Sequence, residues 1–199
     1  MNYSIAPGWK WIGNKEAIGL CERLEMPPQH RLLLLSDGSL TGFLEALNQS
    51  PLDVEIKNHK IRRMEKDEAL YLEIDAGDDA IIRDAWLMQA SKKLVYARSV
   101  FPLSGLDEHF IETIAVAIEP IGKSLIGQGL LASKDKLEVC AVHCRDVNDV
   151  LNLAPETILW AKHYRLTAQT NSTGKKITAS ITEIFSPELA GKPPLHLKI

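Results

Sequence analysis

Apolar residues recur along this chain at two different periods, and the change from one period to the other marks its elements. After the apolar run 32–35 comes Ser36-Asp37-Gly38-Ser39, a turn rich in capping side chains, followed by Leu40, Phe43, Leu44 and Leu47 at helical spacing. A short amphipathic helix is expected there. Residues 54–64, 70–74, 80–88 and 94–101 read as strands, the last two joined into a hairpin by the polar loop around Ser91, Lys92 and Lys93. Ser104 or Asp107 can cap a second helix, whose apolar stripe is Phe110, Ile111, Ile114, Ala115 and Ile118 and whose stop is Pro120. Gly122, Gly127 and Gly129 mark a loop beyond it. Residues 137–143, 158–170 and 175–185 complete the strands, with Asn171-Ser172-Thr173-Gly174 as the turn between the last two. Residues 1–30 carry Trp9, Trp11 and Pro27-Pro28 but follow neither period. They read as a partly ordered arm packed by its tryptophans, ahead of a single domain over 31–199. Strands joined by hairpins and interrupted by two helices define an α+β fold on an antiparallel sheet.

Composition narrows the function. The 199 residues, 45% hydrophobic and 25% charged, suffice for one sizeable core. The net charge is −3 and Lys and Arg form no run, so neither nucleic acid nor an anionic membrane surface is an expected partner. No apolar stretch near the start is long enough to span a membrane, and the first residues lack a basic-then-apolar signal pattern, which points to the cytoplasm. Cys21, Cys140 and Cys144 are an odd set without a CxxC pair, as expected of free thiols in a reducing compartment.

Two strands break their own pattern. In the last, Thr178, Ser180 and Thr182 form one face and Ile177, Ala179, Ile181, Glu183 and Phe185 the other, so Glu183 interrupts an apolar row. A carboxylate there is costly to desolvate without a partner, so Glu183 is either a functional acid or a residue near a strand end that solvent reaches, and alternation alone does not choose between them. Arg83 interrupts the row Ile81, Ala85, Leu87 in the same way. A buried Arg83–Glu183 ion pair would stabilise little compared with apolar packing, so a small anion using both charges explains their retention better. Arg98 depends on register: an even-numbered hairpin loop puts it on the face of Arg83, an odd-numbered one on the other. Other motifs carry less. Gly122-Lys123-Ser124 ends a relaxed phosphate-loop pattern, but it follows a helical stripe and contains Pro120 where a strand should lead in. Cys140, His143 and Cys144 are metal-capable, yet alternation turns Cys140 away from His143 and no second cluster completes a zinc site. Neither GxSxG nor HExxH occurs, so no hydrolase is expected.

Taken in order, residues 34–41 (Leu-Leu-Ser-Asp-Gly-Ser-Leu-Thr), the Arg83 strand, 96–102 (Tyr-Ala-Arg-Ser-Val-Phe-Pro), 122–127 (Gly-Lys-Ser-Leu-Ile-Gly) and 182–187 (Thr-Glu-Ile-Phe-Ser-Pro) resemble the chorismate lyase family. The resemblance implies an antiparallel sheet of about six strands carrying helical flaps over a buried site, a layered α+β arrangement. It implies conversion of chorismate to 4-hydroxybenzoate and pyruvate without metal or organic cofactor. By motif matching, Arg83 binds the ring carboxylate, Glu183 faces the ring hydroxyl, the backbone N–H groups of Leu40 and Ile126 grip the ligand, and Arg98 supports the site. The same fold serves as an effector-binding domain in some transcription regulators, so a non-catalytic sensor of small aromatic acids is the competing class. Only about thirty residues precede the resemblance, so such a sensor would act through another protein.

Overall fold

A computed structural model of the chain describes residues 2–75, 77–106, 110–112, 114, 120–127, 129–170 and 176–195. Its centre is one antiparallel sheet. In chain order the elements are β1 (Ser4–Ile5), β2 (Ile12–Gly13), α1 (Asn14–Arg23), α2 (Pro28–Leu35), α3 (Leu40–Asn48), β3 (Asp53–Arg63), α4 (Lys66–Leu72), β4 (Asp79–Gln89), β5 (Lys92–Pro102), α5 (Ile121–Gly127), β6 (Leu130–His143), α6 (Arg145–Val150), β7 (Ile158–Thr170), β8 (Lys176–Phe185) and α7 (Pro187–Ala190). The strands run β1-β6-β7-β8-β5-β4-β3 across the sheet, and β2 also pairs with β6. The fold is α+β, as the alternating patterns imply.

Residues 2–30 are part of this structure. β1 and β2 add to the outer side of β6, and Trp9, Ile12, Ala17 and Leu20 are buried in the main core, with the Trp9 ring edge-on to Trp160 at 5.3 Å. Helices α1 to α3 cover one face of the sheet. Ser39 caps α3 by accepting from the Gly42 amide at 3.1 Å, where the capping turn was expected.

Two expectations fail for local reasons. Residues 70–74 were expected as a strand because Leu70, Leu72 and Ile74 alternate, but 66–72 are helical. The Glu65 amide donates to the Glu68 carboxylate at 2.9 Å, an N-terminal cap that outweighs the alternation, and Ala69 and Leu72 pack on Met64, Ile82 and Val100 beneath. This small second core covers the other face of β4, which is why β4 is buried on both sides. The loop expected from Gly122, Gly127 and Gly129 is instead the helix α5. Its first turn is closed by bonds from Lys123 and Ser124 to the Pro120 carbonyl, and only Gly129, at φ +72°, uses a glycine's freedom to turn into β6. Of the second expected helix, Phe110, Ile111, Glu112 and Ile114 are helical and Phe110 and Ile114 buried; Asp107, Ala115, Ile118 and the 171–174 turn lie outside the described residues.

The β4–β5 hairpin decides which charges share a face. Its tip is the two-residue turn Ala90-Ser91, both left-handed (φ 47° and 65°), so the loop is even-numbered. Met88 then pairs with Lys93, but Leu87 pairs with Val95, leaving Leu94 as the extra residue of a bulge. One bulged residue reverses the parity of everything beyond it. Arg98 therefore stands opposite Asp84 instead of sharing the face of Arg83.

Candidate functional site

Between the helix-covered face of the sheet and the turn from α2 to α3 lies a cavity of about 230 Å³. Its floor comes from two neighbouring cross-strand rows: Ala85, Ala97 and Glu183 from one, which continues beneath α2 to Lys162, and Arg83, Ser99, Ile181 and Tyr164 from the other, running from β4 through β5 and β8 to β7. Arg83 and Glu183 thus face the same space from strands two apart and rows one step apart, a separation of roughly 10 Å across the sheet and 7 Å along it. The small side chains of Ala85, Ala97 and Ser99 lie between them and leave room for a flat ring. The roof is the turn 37–41 together with Pro120, Ile121 and Gly122 at the start of α5.

Both charged residues are buried, Arg83 at 3% and Glu183 at 4% exposure. Burial alone pulls the Arg83 guanidinium down to about 10, still charged at neutral pH. Glu183 accepts a 2.8 Å bond from the Tyr164 hydroxyl on one oxygen, while its other oxygen is buried without a hydrogen-bond partner among the described residues. Burial first, and then the neighbouring Glu183 charge, push the Tyr164 phenol well up, so it stays a neutral donor. An unmet acceptor beside a cavity is costly unless a donor from a ligand or water reaches it.

Leu40 is the first residue of α3 and lines the cavity, and amides in a helix's first turn have no acceptor within their own helix. Ile126 lies in the last turn of α5, where a helix uses the amide for its own ladder, whereas Ile121 and Gly122 at the start of α5 reach the cavity.

Arg98 is on the other face and does not join this group. It donates to Asp84 through Nε at 2.7 Å and Nη2 at 2.9 Å, within a polar row that runs Asn58, Asp84, Arg98, Thr182, His163, Glu138 across the sheet. That row lies under a separate cavity edged by Trp11 and Tyr71. His163 is bonded to Thr182 at 2.8 Å, and burial pulls its imidazole down to about 4. Lys123 of the phosphate-loop-like motif is engaged by Glu45 at 2.6 Å. Cys140 is a buried thiol, pushed up to about 12 by desolvation.

Three residues at the site were not singled out from the sequence: Tyr164, Lys162 and Lys134. Tyr164 and Lys162 carried a usable signal. In β7 the row Trp160, Lys162, Tyr164, Leu166 has a lysine among large apolar side chains, the same break in alternation that marks Arg83 and Glu183. Lys134 sits on a solvated edge of β6 and has no such signature.

An antiparallel sheet whose helix-covered face holds a cavity lined by an arginine and a glutamate defines the class, an α+β domain with a pocket of small-molecule size. The family model described as chorismate pyruvate-lyase Rv2949c-like matches residues 34–191, and the chain belongs to that family. It is 27% identical over 185 residues, 92% of each chain, to a protein of Pseudomonas putida named "Probable chorismate pyruvate-lyase". Among solved structures it resembles PhnF from Mycobacterium smegmatis, with a TM-score of 0.57 and 11% identity over 98% of this chain and 94% of that one. The effector domain of PhnF alone gives a TM-score of 0.56 and 10% identity over 77% and 91%. At these identities the likeness to PhnF is one of fold. Among the described residues no helix is long and apolar enough to cross a membrane.

Proposed function

We propose that this protein is a chorismate lyase, releasing 4-hydroxybenzoate and pyruvate in the cavity between Arg83 and Glu183. The observation that carries this reading is the placement of one buried guanidinium and one incompletely bonded carboxylate on the lining of one small cavity. Chorismate has a ring carboxylate, an enolpyruvyl ether at C3 and a hydroxyl at C4. Arg83 holds the ring carboxylate by charge-assisted bonds, with the Leu40 amide as a further donor. The Ile126 amide, in the last turn of α5, is the other backbone donor that the family resemblance implies. Glu183 accepts from the C4 hydroxyl with the oxygen that Tyr164 leaves free. Arg98 belongs to the other face and drops out of the ligand set.

The chemistry asks little more than positioning. The C3–O bond breaks, the C4 hydrogen passes to the enolpyruvyl methylene to make the pyruvate methyl, the ether oxygen becomes the pyruvate carbonyl, and the ring becomes aromatic. The C4 hydrogen and the ether share a ring face, so the transfer can be direct. In a stepwise alternative Glu183 takes part as general acid or base. No external oxidant or reductant is needed for either route. The test is incubation with chorismate: 4-hydroxybenzoate and pyruvate should appear in equal amounts.

The fold likeness to the effector domain of PhnF favours a second reading, recognition of a small aromatic acid without turnover. Saturable binding of 4-hydroxybenzoate with no product from chorismate would select it. Absence of both binding and turnover would defeat both readings.

A further inference from the structure

Lys162 is 1% exposed and stands directly across from Glu183 in the sheet. A buried ammonium is costly unless acceptors replace its water. Glu183 is its nearest cross-strand neighbour on the cavity side, yet the ammonium reaches past it. It donates to the carbonyls of Leu33, at 3.1 Å, and Ser36, at 2.7 Å, in the last turn and at the C-cap of α2. These carbonyls lack partners in their own helix, and the negative end of the helix dipole lies there, so a cation fits both. A second ammonium, Lys134, donates to the Gly38 carbonyl at 2.6 Å. The two lysines flank the Tyr164 ring, 4.6 Å (Lys134) and 5.6 Å (Lys162) from its centroid, and Tyr164 donates to Glu183. The chain from Leu33 to Gly38 is therefore tied to the strands carrying Glu183 and Tyr164, and two residues beyond it is the Leu40 amide.

We propose that Lys162 is a positioning residue for the ligand site: it latches the end of α2, and with it the turn that carries the Leu40 amide, to the strand pair that carries Glu183. The inference rests on the cavity being the site that grips the ring acid. It explains why a lysine is kept in an aromatic row without lining the cavity itself. A hydrocarbon there would pack as well but leave the α2 carbonyls unpaired, and the roof would then be free to lift.

The charges facing Lys162 are Glu183 from β8, Lys134 from β6 and Asp37 from the turn. Burial pulls the ammonium down to about 8, with Glu183 and Asp37 holding it up and Lys134 opposing them. The latch is therefore charged at neutral pH and loses its proton in mild alkali. A neutral amine still donates, but more weakly, so the roof should loosen as pH rises through 8.

Hydrogen exchange of the amides from Leu33 to Leu40, expressed as protection factors on either side of pH 8, tests this in the unaltered protein. Protection should fall on the alkaline side, and Lys162→Arg, which keeps its charge there, should abolish the fall. Lys162→Met should raise the KM for chorismate and the Kd for 4-hydroxybenzoate about tenfold, the equivalent of one bond from a charged donor, with a smaller change in kcat. Lys162→Arg should restore both. Protection that stays level through pH 8 in the unaltered protein overturns the proposal, as does Lys162→Met with unchanged KM and Kd. Should Lys162→Met fail to fold, the exchange titration and Lys162→Arg decide. Should chorismate not be turned over, only the enzymatic reading falls, because exchange and 4-hydroxybenzoate binding still report the latch.

Discussion

Arg98 and Asp84 pair across the β4–β5 hairpin through two bonds, on the face of the sheet turned away from Arg83. Asp84 has 1% of its side chain exposed, so removing its guanidinium partner leaves a buried carboxylate without its cation, with the Asn58 amide still donating at 3.3 Å. Arg98→Ala should cost about 3 kcal/mol of stability, at the lower end for broken buried pairs because Arg98 itself is partly solvated. It should leave 4-hydroxybenzoate affinity of the folded protein unchanged. Denaturant titration and calorimetry separate the two effects, and a large loss of affinity would return Arg98 to the site.

Tyr164 is the one described hydrogen-bond donor to Glu183, and both are buried. Tyr164→Phe keeps the ring between Lys134 and Lys162 but leaves the second carboxylate oxygen unmet as well. A destabilisation of about 1–3 kcal/mol is expected, the usual cost of orphaning a buried polar group. Thermal melting checks it, and bound 4-hydroxybenzoate should recover part of the loss by supplying its own hydroxyl.

His163 makes stability depend on acid. Half-buried and packed against Tyr71 and Trp11, it takes a proton in the folded state only near pH 4, whereas an exposed histidine does so near 6.5. Between these values the unfolded chain binds more protons, so stability falls as pH falls. Above about 6.5 neither state holds the proton and the contribution is complete. Urea midpoints from neutral pH down to pH 4 should fall less steeply for His163→Gln than for the unaltered protein; parallel slopes would show that His163 is not the group responsible.

Alternation along a strand was enough to mark Arg83 and Glu183 as charges in apolar rows, and both are buried, because β4 and β8 are regular where those residues lie. It needs no tertiary information: one charge in an apolar row is visible in the residues themselves. The same rule marks Lys162, whereas Arg98 shows its limit. Its face depends on whether Leu94 is paired, and a single bulged residue is chosen by packing at the strand end, which composition does not encode. The helix α4 was hidden because Leu70, Leu72 and Ile74 satisfy a two-residue period, and the Glu65–Glu68 cap that decides the matter was a competing local signal. The first thirty residues were illegible for another reason. β1 and β2 are two residues each and exist only because β6 offers them an edge.

The two ends of the proposed site should fail differently when altered. Arg83→Ala removes the buried cation that the ring carboxylate needs and offers nothing in its place. Binding of both chorismate and 4-hydroxybenzoate should then fall by several kcal/mol, as when one partner of a buried charge pair is lost. Glu183→Gln keeps the shape and one acceptor, so 4-hydroxybenzoate should still bind with a modest penalty. Its effect on turnover then distinguishes the two routes. If positioning and direct hydrogen transfer suffice, single-turnover rates with chorismate should drop only a few-fold, whereas a general acid or base role should cost about a hundredfold or more. Calorimetric titration of both variants with 4-hydroxybenzoate, alongside single-turnover rates with chorismate, provides the comparison. Near-normal binding and turnover by Arg83→Ala would remove the carboxylate anchor and the assignment of this cavity with it.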